Sequence, residues 1–300
     1  MSNRRPLDTN LLAEEFVHEV LGYIDCSAEE ITRLVDVEIQ MPKLEARPTS
    51  THRDYRSSKY RTIPARKKLN QQILAELIDK PRLGDDNELC LGKGGAKPKV
   101  TKQERRAYIV SGGPASGKST IATRLADRYG AYILDSDYAI RKFPEFYEHA
   151  AGASLVHDEA DALVFDMSGG LFTYCIQRGY NVAVPLIGRT YESVAEILEI
   201  LLRNDYEIHL ISIALDRTTA TLRAYERFRK TGRYVPLSYV FDDVGNEPER
   251  IYYRIKRDFA KQLKSYALIT TDVDEGEQPI IIETAGRSPV RTLWEKAQGG

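Results

Sequence analysis

The run Gly112-Gly-Pro-Ala-Ser-Gly117-Lys118-Ser119 constrains this chain more than any other feature of its sequence. It fits the pattern G-x-x-x-x-G-K-[ST], in which glycines let the backbone turn sharply and approach phosphate oxygens. An apolar stretch at 108–111 precedes the run, and a helix-forming stretch at 117–129 follows it. The sequence therefore predicts a strand–loop–helix unit that binds a nucleoside triphosphate.

Each part of this loop has a predicted role. The backbone N–H groups and the helix N-terminus form an anion cradle. Lys118 is predicted to reach the β- and γ-phosphates, and the Oγ of Ser119 to ligate Mg²⁺. The chain has no base-reading N-K-x-D, which a GTPase would need. The residues predicted to contact the nucleotide are Gly112, Gly113, Pro114, Ala115, Ser116, Gly117, Lys118, Ser119 and Thr120.

Apolar segments alternate with helix-forming segments from residue 107 onward. Strands are predicted at 108–111, 131–134, 181–184, 208–215, 267–270 and 280–283. Helices are predicted at about 69–79, 117–129, 154–178, 191–203, 217–229, 247–264 and 289–297, and a turn, a short strand and a Gly-rich turn at 83–95. Buried strands that alternate with helices predict an α/β fold, a P-loop NTPase-type parallel sheet with helices on both faces.

The first part of the chain is predicted to be a small helical extension with a basic linker, residues 1–68, before a P-loop domain at 69–300. Two short amphipathic helices precede residue 40, and Ser27 with Glu30 resembles a capping box. Residues 42–68 hold nine basic and two acidic residues. This composition fits a solvated linker or, alternatively, an arm that contacts a nucleotide or an acidic partner.

Composition narrows the class of protein. The net charge of -1 gives no support for bulk nucleic-acid binding. The three cysteines lie far apart, which indicates reduced thiols and neither a disulfide framework nor a zinc site. The sequence shows no secretory signal and no run of about 18 apolar residues. A cytoplasmic protein without a membrane span is therefore expected.

Two carboxylates follow the second predicted strand, in Asp135-Ser136-Asp137. In this fold the C-terminal end of that strand lies beside the γ-phosphate. A carboxylate there can accept the proton of an attacking hydroxyl or hold Mg²⁺. The alternative for either residue alone is capping of a helix N-terminus.

A basic helix lies further along the chain. Arg223, Arg227 and Lys230 are spaced i, i+4 and i+7, which places them on one helix face. Guanidinium groups suit the negative charge of a transferring phosphoryl group, although an exposed basic face is the alternative. Gly232 and Pro236 bracket a loop that suits a lid closing over ATP.

Taken in order, these residues resemble the zeta toxins, a family of P-loop kinases. The resemblance covers about residues 105–265. Beyond the phosphate loop it rests on Asp135-Ser-Asp137, Arg141-Lys-Phe-Pro144-Glu-Phe-Tyr147, Val156-His-Asp-Glu-Ala160, Gln177-Arg-Gly-Tyr-Asn181, Gly188-Arg189-Thr190, Glu226-Arg227-Phe228 and Gly232-Arg233-Tyr-Val-Pro236.

The resemblance implies an ATP-dependent kinase that uses Mg²⁺ and is toxic to its target cell. It implies that Lys118 and Ser119 hold ATP and Mg²⁺, that Asp137 is the catalytic base and that Arg227 and Arg233 stabilise the transferring phosphate, with Lys118 also predicted to be catalytic. Asp135 is predicted as a second Mg²⁺ ligand, and its position also leaves it open as the base. The family's acceptors are nucleotide sugars, chiefly UDP-N-acetylglucosamine, and a related branch phosphorylates a ribose hydroxyl of NAD. The residues expected to bind the substrate are Asp135, Arg141, Arg189 and Thr190.

The chain departs from the family pattern in two places. The family has an acid and a threonine between the third strand and Gly-Arg, where this chain has Val184-Pro185-Leu186-Ile187. The first hundred residues have no counterpart in a minimal zeta toxin. They are hypothesised to act as a cis-inhibitory module or to dock an antitoxin protein.

Two other functions fit parts of the sequence. A polynucleotide end kinase would share the phosphate loop, Asp137 and the lid, and the basic arm could follow phosphates. The near-neutral charge and the lack of interleaved aromatic residues make nucleic acid the weaker interpretation. The third interpretation is an ATP-binding interaction module in which the phosphate loop acts as a switch.

Overall fold

The computed structural model describes residues 4–149, 152–274 and 276–294. Its centre is one six-stranded sheet with the order β2-β3-β1-β4-β5-β6, parallel except for β6, which pairs antiparallel with β5. The strands are β1 Arg106–Gly112, β2 Tyr132–Ile133, β3 Val182–Leu186, β4 Glu207–Ala214, β5 Leu263–Thr270 and β6 Ile280–Gly286. The predicted α/β fold class is confirmed.

Helices connect the parallel strands and pack against the sheet. The α-helices are α1 Asn10–Glu15, α2 Ala28–Glu45, α3 Ile63–Asp79, α4 Lys118–Tyr129, α5 Ser136–Ile140, α6 Glu145–Glu148, α7 Gly152–Phe165, α8 Leu171–Arg178, α9 Tyr191–Arg203, α10 Arg217–Thr231 and α11 Glu247–Asp258. Helix α1 continues into a π-helical turn, Phe16–Val20, and a second π-helical turn, Tyr239–Val244, precedes α11. Every crossover between parallel strands therefore contains at least one helix, which is the usual form of the long connection that parallel pairing requires.

The single helix predicted at 154–178 is wrong, because the chain forms α7 and α8 instead. Asp166 ends α7, and its side chain accepts hydrogen bonds from the backbone N–H and hydroxyl of Ser168. A Cβ at Gly170 would lie 2.9 Å from the Asp166 backbone nitrogen, so the turn is too tight for a side chain. Local side-chain bonding and a close backbone approach override the helical pattern here.

Three other boundaries also differ from the prediction. The helix predicted at 247–264 ends at Asp258 as α11. Strand β5 already begins at Leu263, because residues 263 and 264 belong to the strand that pairs with β4. At 83–95 the structure has a 3₁₀ turn, Asp86–Glu88, with isolated bridges in place of the predicted strand. The last predicted helix is a 3₁₀ turn, Pro289–Thr292, within the described part, and residues 295–297 lie outside it.

The N-terminal helices match the prediction closely. Ser27 and Glu30 form the capping box, each side chain bonding the backbone N–H of the other residue. Helix α2 continues to Glu45, past Pro42, so it includes the first residues of the predicted basic linker. Residues 63–68, predicted to end that linker, form the first turns of α3. The domain boundary at 68 remains a prediction.

The solvated-linker interpretation is wrong for the central part of 42–68, because Thr49, Arg56 and Arg66 are buried. The Nε of Arg66 donates to Glu159 in α7 at 2.8 Å, and its Nη1 donates to Glu145 at 2.7 Å. Arg66 is 3% exposed and Glu145 is 0% exposed. Buried charges need such partners, since an isolated ion is strongly disfavoured away from water.

We expect Arg66→Ala to destabilise the protein by about 3–5 kcal/mol, because it removes the closest cation from two buried carboxylates. Urea denaturation followed by circular dichroism would measure the change. The exposed neighbour Lys67 provides the control, and Lys67→Ala should change stability by less than about 0.5 kcal/mol. Equal effects of the two substitutions on the free energy of unfolding would show that the buried ion pairs of Arg66 stabilise the protein no more than exposed Lys67 does.

Candidate functional site

The phosphate loop connects the end of β1 to the start of α4. Ala115 has φ 58° and Gly117 has φ 85°, so the chain passes twice through the left-handed region within three residues. A Cβ at Gly112 would lie 2.7 Å from the Oγ of Ser116, which leaves no space for a side chain. The loop therefore turns sharply and excludes a side chain at Gly112, as the motif requires, while its role as an anion cradle remains a prediction.

Lys118 is the first residue of α4, and its Nζ donates to the Gly113 carbonyl oxygen at 2.6 Å. Burial lowers the pKa of Lys118 to about 8, against the opposing effect of Asp135 and Asp137. The Oγ of Ser116 is buried in the same loop without a hydrogen-bond partner. Ser119 is exposed at the helix N-terminus. These groups are available for an anionic ligand.

Asp135 follows β2 and is the N-cap of α5, where its carboxylate accepts from the Asp137 backbone N–H at 2.9 Å. Burial and the neighbouring Asp137 raise the pKa of Asp135 to about 7, although Lys118 and Arg141 oppose the shift. Arg141 is buried and donates to the backbone carbonyl of Asp86. The capping alternative is thus realised for Asp135, while the side chain of Asp137 is about half exposed.

The two lid arginines come to the same place from α10 and the loop after it. The Nη2 of Arg233 lies 3.3 Å from the Oδ2 of Asp137. The Nε of Arg227 is buried without a hydrogen-bond partner. Burial lowers the pKa of both arginines, and Asp137 opposes this for each. The structure therefore brings Lys118, Asp135, Asp137, Arg227 and Arg233 together.

The charges of this cluster do not balance. The cations that act on one another and on the carboxylates are Lys118, Arg141, Arg227 and Arg233, and the carboxylates are Asp135 and Asp137. Positive charge is thus in excess beside the phosphate loop. Such an excess suits a polyphosphate, whose charge the cations would neutralise.

Arg223, which the sequence grouped with Arg227 and Lys230 on a basic face suited to a phosphoryl group, instead contacts a residue that holds the phosphate loop. Its guanidinium donates to the Thr271 backbone carbonyl at 2.8 Å and lies 3.2 Å from the Thr271 Oγ1. That hydroxyl donates in turn to the Ser116 carbonyl at 3.0 Å. No local pattern marks Thr271, because its role depends on the position of β5 beside β4.

Arg189 and Thr190 follow β3 and are exposed. The Arg189 guanidinium lies 5.9 Å from the centre of the Tyr239 ring. The Oγ1 of Thr190 caps α9 by accepting from the Ser193 backbone N–H at 3.4 Å. Their assignment to substrate binding remains a prediction, as do the roles of the other site residues.

The predicted magnesium ligands fit a Mg²⁺ that a nucleotide brings with it. Ser119 and Asp135 offer oxygen atoms, which this ion prefers. Within the described ranges no group of three or more His, Cys, Asp or Glu residues could hold a metal. Nucleotide-dependent sites use one or two protein ligands and phosphate oxygens instead, so a prebuilt cage is not required.

The fold and this site define a P-loop nucleotide-binding α/β protein. A sequence model of the zeta toxin family matches residues 93–277, more than half of the chain. The chain therefore belongs to the zeta toxin family. No curated protein matches the sequence.

Solved structures with a similar fold include a structure from the PezAT chromosomal toxin–antitoxin system of Streptococcus pneumoniae. It is 15% identical, with a TM-score of 0.48, and the match covers 76% of this chain and 84% of that chain. Another is the AvrRxo1-ORF1:-ORF2 complex with ATP, which is 16% identical with a TM-score of 0.49, over 80% of this chain and 74% of that chain.

Across the described ranges, no helix is both long enough and apolar enough to cross a membrane.

The raised pKa of Asp135 predicts a pH-dependent effect on stability. The folded protein holds this proton more tightly than the unfolded chain, so ionisation costs stability as the pH rises from about 4 to 7. Asp135→Asn keeps an N-cap acceptor and removes the charge. We expect it to raise Tm by roughly 1–3 °C at pH 8 and to leave Tm unchanged near pH 4.

Thermal denaturation of the ligand-free protein at both pH values would test this expectation. Asp36, exposed on α2, provides the matched control, and Asp36→Asn should change Tm little at either pH. A lower Tm for Asp135→Asn at pH 8 would show that ionised Asp135 stabilises the site.

Proposed function

We propose that this protein is an ATP-dependent kinase that transfers the γ-phosphoryl group to a hydroxyl of a small, nucleotide-containing metabolite. The observation that carries the proposal is the contact between Arg233 and Asp137 at 3.3 Å, beside the phosphate-loop Lys118. It brings a candidate proton acceptor, the phosphate loop and a lid cation together in one site. Membership of the zeta toxin family supports the same function.

In the proposed reaction, Asp137 accepts the proton of the acceptor hydroxyl. The acceptor oxygen forms a bond to the γ-phosphorus, the bond from that phosphorus to the β,γ-bridging oxygen breaks, and ADP leaves. Asp137 suits this role because its carboxylate is half exposed, so an acceptor can reach it. Arg233 would then exchange part of its contact with Asp137 for the transferring phosphoryl group.

The cations would stabilise charge that develops during transfer. Arg227 brings a buried Nε without a partner, and Lys118 can leave the Gly113 carbonyl for a phosphate oxygen. Ser119 and Asp135 would hold Mg²⁺, which when bound neutralises phosphate charge. Because little covalent chemistry falls to the protein, positioning and charge stabilisation would supply most of the rate.

The acceptor is the least constrained part of the proposal. UDP-N-acetylglucosamine-type sugar nucleotides and NAD are the candidates that the family offers. The chain has no acid at Val184-Pro185-Leu186-Ile187, and β3 occupies most of this segment, so a family-like acid contact at this place is lacking. By phosphorylating either metabolite, the protein would deplete the cytoplasm of it, and this depletion would be toxic to the cell.

An antitoxin protein is a further proposed partner. The similar structures include a toxin–antitoxin system and a two-protein complex, and these descriptions apply to those proteins. A regulated kinase of this kind would need either a separate inhibitor or a segment of its own chain.

The identity of the acceptor can be measured directly. Purified protein with ATP and Mg²⁺ would be incubated with UDP-N-acetylglucosamine, other nucleotide sugars, NAD and short RNA, and products followed by phosphate-31 NMR and mass spectrometry. We expect a phosphorylated nucleotide-containing metabolite. Asp137→Asn should lower its rate of formation by about 10²–10⁴-fold, since the proton acceptor is lost.

The surface substitution Asp36→Asn serves again as the control and should leave the rate unchanged. Label on RNA alone would replace this proposal with the polynucleotide-kinase interpretation. That interpretation has less support from the basic arm than composition suggests, because Arg56 and Arg66 are buried and face Glu145 and Glu159. An undiminished biological effect of Asp137→Asn would favour a non-enzymatic ATP-binding module.

A further inference from the structure

The N-terminal segment 4–45 shares a hydrophobic core with α10, which carries Arg227, and with the chain that follows the loop carrying Arg233. This segment lies before the part of the chain that matches the zeta toxin family. The cluster is separate from the main core beneath the sheet. Its buried members are Leu7, Ala13, Phe16, Val17, Leu21, Ile31, Leu34, Val35, Val37 and Met41 from the segment, with Ala220, Ala224, Tyr225, Phe228, Leu237, Val240 and Phe241.

Helix α10 divides its faces between this segment and the site. Tyr225, Phe228 and Arg229 lie at i, i+3 and i+4 and contact the segment. Arg223 and Arg227 lie four residues apart on another face, where Arg223 contacts Thr271 and Arg227 interacts electrostatically with Asp137. A shift of the helix on its N-terminal support would therefore move Arg227.

Polar contacts fix the helix on the segment in addition to the apolar core. The Nε of Arg229 donates to the Oε1 of Glu30 at 2.6 Å, and its Nη1 donates to the Tyr23 hydroxyl. The Arg33 guanidinium lies 4.8 Å from the centre of the Phe228 ring. These directional contacts restrict how α10 can rotate or slide, which apolar packing alone restricts less.

In the loop after α10, one of two adjacent residues contacts the site and the other contacts the N-terminal segment. Arg233 points to Asp137, while the hydroxyl of Tyr234 donates to Glu38 in α2. The Tyr234 ring packs against Phe228, with 4.8 Å between centres. Residues 232–236 have no regular secondary structure, so these side-chain contacts fix the backbone beside Arg233.

The segment also holds the turn that follows the lid. Arg4 pairs with Asp243 at 2.7 Å and Arg5 with Asp242 at 2.8 Å, both in the π-helical turn Tyr239–Val244. Ala115 of the phosphate loop packs against the edge of the same cluster. The segment thus contacts the chain both before and after the lid loop, and the cluster that it helps to form extends to the phosphate loop.

We infer that residues 4–45 form a brace that positions Arg227 and Arg233 for the γ-phosphate, with Glu30 and Glu38 as positioning residues. The inference rests on the proposed function and extends it. It differs from the hypothesis of cis-inhibition in the expected change of rate. Loosening the brace should slow phosphoryl transfer, whereas loosening an inhibitory segment should speed it. Misplacement of a catalytic group by about 1 Å can cost a factor of 10² in rate, so modest loosening has a measurable effect.

The most direct test is Tyr234→Phe, alone and combined with Glu30→Gln, in the full-length protein. Tyr234→Phe keeps the ring and removes the bond to Glu38 together with a weak 3.4 Å bond from the Leu237 backbone N–H, so the fold should persist. Tyr253→Phe, on the exposed part of α11, is the matched control. We expect kcat of the double variant to fall about tenfold or more, with the acceptor KM and Tm nearly unchanged, and the control to behave as wild type.

A second readout is independent of transfer. Arg227 and Arg233 would contact the γ-phosphate, which ATP has and ADP lacks. The ratio of the ADP Kd to the ATP Kd should therefore fall in Tyr234→Phe and in the double variant, because a loosened brace weakens binding of ATP alone. Hydrogen exchange at 217–237 should rise, while exchange in α4 stays constant. Calorimetry and mass spectrometry measure the two effects.

Unchanged kcat, Kd ratio and exchange would overturn the brace, and a faster reaction would replace it with cis-inhibition. A wild-type protein that transfers no phosphate to any acceptor would overturn the proposed function alone. The Kd ratio would then still decide whether the segment positions the two arginines.

Discussion

The site depends on holding like charges close together in a half-buried space. Lys118, Arg227 and Arg233 lie around Asp135 and Asp137, and burial shifts the pKa of Lys118 down and of Asp135 up. Each cation is tolerated because the carboxylates partly compensate it. A polyphosphate would complete this compensation, so the excess of cations around the two carboxylates favours an anionic ligand.

The carboxyl ends of parallel strands make this arrangement feasible. Strand β1 leads into the phosphate loop, and β2 leads into Asp135 and Asp137 two positions away in the sheet. Helix α10 follows β4, on the other side of β1, and returns Arg227 and Arg233 to Asp137. Three separate connections therefore meet at one edge of the sheet, which is where ligands bind in open α/β folds.

The sequence predicted the parts of this arrangement that local patterns encode. The phosphate loop, the capping box at Ser27 and Glu30 and the order of strands and helices were all visible as short motifs or periodicities. The break between α7 and α8 was not predicted, because it depends on the close backbone approach at Gly170. The burial of Arg66 was not predicted either, since its partners Glu145 and Glu159 are far away in sequence. Composition alone made residues 42–68 look solvated.

The same limit explains why the N-terminal segment was first interpreted as an appendage. Its apolar surface is too small to form a core alone, and Tyr225, Phe228 and Phe241, which complete that core, lie some two hundred residues later. Because the segment and α10 share one core, the stability of the segment and the position of α10 depend on each other. An addition outside the family's matched region can therefore influence Arg227 and Arg233 without contacting a substrate, simply by setting how firmly their supporting helix is held.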